Sequence, residues 1–169
     1  MSALYNGAMD SGSLATLFHE SIYLLVVFGI FFAIAVMKGR YAIVNIIFAL
    51  YLALLVSLKF PYFDFFLTAG SPKSNAIVMI VIFSIFTILG IVLFRRHIPG
   101  DDFEGSFQHF WVKIFLAFLA TALVMAYSYQ ALPVTELITP GSPIQALFGP
   151  EDHFFWWLIA PLIALFFII

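Results

Sequence analysis

The sequence predicts an all-α integral membrane protein: about five transmembrane helices in a compact bundle, N-terminus outside, C-terminus inside, with short interfacial helical turns on the outer face. Three observations lead there. The first is composition, 64% hydrophobic and 9% charged at a mean hydropathy of +1.11, where soluble domains carry roughly 45–50% apolar and about 25% charged residues. So few charges cannot coat a water-facing surface, and the surplus apolar side chains need lipid as their solvent. Second, five runs nearly free of charge approach the length needed to cross about 30 Å of hydrocarbon at about 1.5 Å per residue. Their interiors are continuously apolar, without the alternation of a barrel strand. Third, basic residues collect in alternate connections, as short cytoplasmic loops do.

Residues 1–20 read as a polar lead. They contain no Lys or Arg, so the basic start of a cleavable signal peptide is missing, and Gly7, Asp10, Ser11, Gly12 and Ser13 suggest flexible chain. The first span, residues 21–37, is therefore expected to be retained. Lys38, Gly39 and Arg40 separate it from the second, residues 41–58. A connection this short must reverse at once, and glycine reaches the left-handed backbone conformation that such a reversal needs. Any tight cytoplasmic hairpin can show this triplet, and it assigns no family.

The next connection carries Phe60, Tyr62, Phe63, Phe65 and Phe66 around Pro61, rings suited to the headgroup boundary. The third span covers residues 75–94. Arg95, Arg96 and His97 then meet Asp101, Asp102 and Glu104 across a Pro99–Gly100 turn, a loop that neutralises itself and lacks the alternating oxygen ligands of a calcium site. In the fourth span, residues 112–127, Lys113 lies near the start and is expected to snorkel to the inner interface. Pro133, Pro140, Pro143 and Pro150, with Gly141 and Gly149, forbid a long helix over the outer interfacial segment 128–153. Two short amphipathic pieces fit there: Val134 with Leu137 and Ile138, and Ile144 with Leu147 and Phe148. The fifth span, residues 154–169, is short for a bilayer. Its helix is expected to begin near Pro150, with Glu151 and Asp152 at its positive end.

Orientation follows from the basic residues. Lys38, Arg40, Arg95, Arg96 and Lys113 fall on one side and only Lys59 and Lys73 on the other; the richer side is expected to be cytoplasmic. A plasma (inner) membrane is the expected location. Domain organisation is simple, a single transmembrane helical domain over residues 21–169 after the lead.

Small residues mark the expected packing faces. Gly29 with Ala33, and Ala117 with Thr121, have small-xxx-small spacing, as do Ala35 with Gly39 and Ala122 with Ala126; such pairs let helices approach closely, within one chain or between two. Asn45 is expected to hydrogen-bond between helices. Gly90 and Pro161 are expected to bend or loosen theirs.

Chemistry is sparse. With no cysteine there is no disulfide or thiolate site, and a formal net charge of -2 points to no nucleic acid. No span centre carries a charge, which argues against a charge-coupled pump. There is no G-x-S-x-G elbow, no H-E-x-x-H and no Gly-rich phosphate loop. One metal constellation is conceivable, His19 and Glu20 meeting Asp152 and His153 at the outer face. Helix-start chemistry explains the acids more simply. The function expected is a non-catalytic membrane subunit or scaffold that needs no cofactor. Its partners are membrane lipids and another membrane protein or a second copy. A small channel or transporter is the alternative, and an intramembrane metal-dependent enzyme using the outer His and carboxylates stands behind it.

Overall fold

The computed structural model describes residues 11–62, 71–97, 110–130, 132 and 147–168, with the side chains of the first helix described from Ser21 onward. Among these residues there are five α-helices and no strand: α1 (Ser11–Lys38), α2 (Arg40–Leu58), α3 (Pro72–His97), α4 (Phe110–Gln130) and α5 (Glu151–Ile168). Four of them, α1 to α4, contain stretches long and apolar enough to cross a membrane, and α5 contributes a shorter apolar stretch, Asp152–Phe167. The chain has the form of a membrane protein. Helices suit such a solvent because lipid offers no partner for backbone groups, and a helix satisfies its own.

The first helix starts ten residues before the expected span, so the second half of the polar lead is helical. Ser11 to Glu20 includes Leu14, Ala15, Leu17 and Phe18, residues that helices accept readily. Composition hid them behind the neighbouring Gly and Ser. The helix ends at Lys38 and the next begins at Arg40, leaving Gly39 as the whole turn with φ 82° and ψ 172°. Any side chain there would meet the left-handed penalty that glycine avoids.

Packing gives the helices unequal shares of the interior. The most extensive contact joins α2 to α3, the next joins α1 to α4, and α2 with α4 and α4 with α5 follow; α1 touches its hairpin partner α2 least of these pairs. In consequence α2 and α4 form the centre, while α1 and α3 lie outside with few of their residues fully buried. The core runs between them: Ile43, Ile47, Leu50 and Ala53 of α2 meet Leu116, Ala120, Leu123 and Tyr127 of α4, with Phe83 of α3 and Leu165 of α5. Both series advance by three and four residues, the spacing of a helix face.

Gly90 serves packing. A Cβ built there would lie 3.0 Å from the Ala49 Cβ and 3.1 Å from the Ala49 Cα, so α2 and α3 touch almost backbone to backbone. Gly90 lies within an α3 that runs unbroken from Pro72 to His97. Pro161 likewise sits inside a continuous α5. Having no N–H, it leaves the Trp157 carbonyl without the usual helical donor. One residue further along, the Leu158 carbonyl accepts a hydrogen bond from the Tyr51 hydroxyl of α2. The start of α5 matches the expectation, with the Pro150 carbonyl accepting from the N–H groups of His153 and Phe154.

Candidate functional site

Polar groups of the apolar helices come first, since in lipid each must be satisfied or explained. The hydroxyls of Ser84, Thr87, Thr121 and Ser128 each donate to the carbonyl four residues earlier, at 2.7 to 2.9 Å. They are spent on their own helices, so their protons are not offered to a passing ion or substrate. Asn45 is 3% exposed on α2, one turn before Ala49 and therefore on the side facing α3.

Lys113 overturns its expectation. It is fully buried, where snorkelling would have carried its ammonium out to the headgroups. The reason is its position in α4: residues 113, 116, 120, 123 and 127 succeed each other by three and four, and the last four belong to the core facing α2. Trp111 and Phe115 take the outward directions, the tryptophan 80% exposed. A stem that points into a bundle cannot reach the lipid boundary along its outer surface. Arg40, the first residue of α2, is half-buried; its Nη2 donates to the Tyr41 hydroxyl at 3.0 Å and its guanidinium lies 4.8 Å from that ring centre. Lys38, Arg95 and Arg96 are exposed.

The small residues divide into two groups. Ala117, Thr121, Ala122 and Ala126 are all buried on α4, and Ala122 and Ala126 form a second cluster with Met125 and Phe148, against which Leu24 of α1 and Trp157 of α5 pack. Gly29 and Ala33 are different. Both are exposed, and nothing lies within 4 Å of where a Gly29 Cβ would stand. With Ile22, Val26 and Met37, also exposed, they form an outward strip on α1 whose steps of three and four residues keep one face.

Just ahead of α5, residues 147–150 pack against the end of α4 and the start of α5. Phe148 is 3% exposed, its ring 4.7 Å from that of Trp157, whose Nε1 donates to the Leu147 carbonyl at 3.3 Å. The Gln130 amide donates to the Gly149 carbonyl, which ties the end of α4 to the same turn. Phe148 was legible as an apolar anchor; its insertion between helices was not. The other expected outer pieces, including Val134, Leu137, Ile138 and Ile144, lie outside the described residues, as do Asp64 and the acids Asp101, Asp102 and Glu104.

For the metal constellation, Asp152 and His153 are exposed at the start of α5, and the side chains of His19 and Glu20 lie outside the described residues. Among the described residues no group of three His, Asp or Glu side chains converges on a point that could hold an ion. No protein-family model, curated protein or solved structure matches the chain.

Proposed function

We propose that the chain is a non-catalytic membrane subunit or scaffold that uses the outer face of α1 to pack against another membrane protein or a second copy of itself. The single observation that carries this is the open space over Gly29, beside exposed Ala33. In lipid, helices associate through close van der Waals contact, and small residues make that possible by letting backbones approach. Within the chain this principle is already used at Gly90 against Ala49. On α1 the same kind of surface has no helix over it among the described residues. The proposal includes five spans, with residues 154–169 as the fifth, the N-terminus outside and the C-terminus inside an inner membrane; the uneven placement of Lys and Arg supports that direction.

Replacing Gly29 and Ala33 together by Leu tests it. The parent in mild detergent should form an oligomer or carry a co-purifying membrane protein, and the double variant should lose it while keeping the parent's thermal stability, since no described helix is displaced. A variant that keeps its partners and its assembly size would refute the use of this face.

A second reading, a small channel or transporter, is favoured by one observation, the fully buried Lys113. Intramembrane charges commonly mark a pathway. The hydroxyls spent on their own helices weigh against a polar path beside it.

A further inference from the structure

Helix pairing brings four basic residues to one end of the bundle. The Phe48 ring of α2 lies 5.7 Å from Phe94 of α3, and the Phe60 ring, just past the end of α2, lies 5.4 Å from Phe86. As one helix advances the other runs back, so the two are antiparallel. Arg40 is nine residues before Ala49, and Arg95 and Arg96 are five and six residues after Gly90, which touches Ala49. At about 1.5 Å per residue these lie roughly 13 Å and about 8 Å beyond the contact in the same direction. The start of α2 and the end of α3 are therefore level to within about one turn. Lys38 ends α1, one residue ahead of Arg40. Phe110, the first residue of α4, meets Phe32 of α1 at 5.9 Å, which brings Trp111 to this end as well, 80% exposed.

The surroundings decide what such an end attracts. Lys38, Arg95 and Arg96 are exposed and Arg40 is half-buried, whereas fully buried Lys113 adds nothing to the surface. Among the described side chains Asp152 is the one acid. It starts α5, whose Phe154 meets Tyr127 near the far end of α4, and so it belongs to the opposite end. Lys38, Arg95 and Arg96 are carried by α1 and α3, the two long helices with the smallest buried shares, at the point where their apolar stretches stop. In a membrane that level is the headgroup layer, where tryptophan also collects. Four or more Lys and Arg placed directly beyond a span attract anionic lipid.

We propose that this end of the bundle is a docking surface for anionic phospholipid, with Arg95 and Arg96 holding the headgroup phosphate and Lys38 and Arg40 extending the attractive field. The selection requires neither orientation in the membrane, because the four residues share one end whichever leaflet it faces. It is also independent of the Gly29 face used in the proposed assembly.

The test uses the full chain reconstituted in phosphatidylcholine bilayers with a trace of spin-labelled phosphatidylglycerol or spin-labelled phosphatidylcholine, the protein-bound fraction of each label being read by electron paramagnetic resonance. At low salt the parent should select phosphatidylglycerol by about threefold, and the selection should shrink in molar salt. Arg95→Gln with Arg96→Gln should roughly halve the ratio, and Arg95→Lys with Arg96→Lys should retain it. Exposed Lys59 and Lys73 lie at the opposite end, and changing both to Gln should leave the ratio unchanged. Equal binding of the two labels by the parent overturns the proposal; that is the result expected if Asp101, Asp102 and Glu104, which follow in the sequence outside the described residues, neutralise the arginines. Selection that survives the glutamine pair at 95 and 96, that is lost in the lysine pair, or that falls as far with the changes at 59 and 73 overturns it as well.

Discussion

Gly90 and Ala49 hold α3 against α2 at a separation where the missing Gly90 Cβ would lie 3.1 Å from the Ala49 Cα. That atom belongs to backbone and cannot turn aside. Alanine at position 90 gains up to about 1 kcal/mol of helix propensity, but overpacking typically costs about 1–3 kcal/mol, so Gly90→Ala should unfold at a lower temperature. Gly90→Leu should be worse, and either variant with unchanged thermal unfolding in detergent would show that the two helices can part freely.

Phe148 predicts a stability loss that fluorescence can follow. Phe148→Ala removes a ring packed on Trp157 and against Ala122, Met125 and Ala126. Removing a buried phenylalanine costs about 3–5 kcal/mol in water-soluble cores, and the lower end is expected here because lipid fills part of the gap. The unfolding midpoint in detergent, followed by tryptophan fluorescence, should fall.

The two classes of small residue should respond oppositely to enlargement. Ala117 is fully buried on α4, and Ala117→Leu adds three carbons to a filled interface, a change expected to cost about 1–3 kcal/mol. Ala33→Leu points away from the chain and should leave the thermal midpoint in place. Equal effects at the two positions would mean that α1 is turned differently about its axis.

Topology gives a further expectation, resting on the proposed five spans. A reporter after Ile169 should be cytoplasmic and a tag ahead of Ser21 external. The 18 residues of α5 extend about 27 Å, slightly less than an average hydrocarbon core, so the membrane should thin around it. If both termini label from one side, α5 enters the membrane without crossing it.

Much of this architecture was legible because lipid imposes a simple rule: a long apolar run must be helical. Residues 41–58 and 75–94 fall inside α2 and α3, with ends shifted by no more than a turn. Gly39 was legible too, because a reversal of one residue leaves little choice of conformation. Rotation about each helix axis was hidden. In a chain apolar on nearly all sides there is no polar face to mark the outside, so Gly29 and Ala117 look alike in sequence and end up in opposite settings. Lys113 failed for the same reason: its depth was readable, and the direction of its side chain depended on which face α4 turns to α2. Gly90 needed knowledge of Ala49, on another helix. No local pattern supplies that.

The pairing of helices also sets an order of events during synthesis. α2 and α3 are neighbours in the chain and each other's main partner, whereas α1 has its largest contact with α4, which emerges more than seventy residues after α1 ends. A nascent chain halted beyond α3 should therefore already hold the α2–α3 pair, with α1 only loosely attached through its one-residue turn. Cysteines in place of Phe48 and Phe94, whose rings lie 5.7 Å apart across α2 and α3, should cross-link in such a halted chain, and pairs between α1 and α4 only after residue 130 has entered the membrane. Until then α1, which has the smallest buried share of the four long helices, waits for its main partner, and the strip bearing Gly29 stays open while the rest of the bundle is being made.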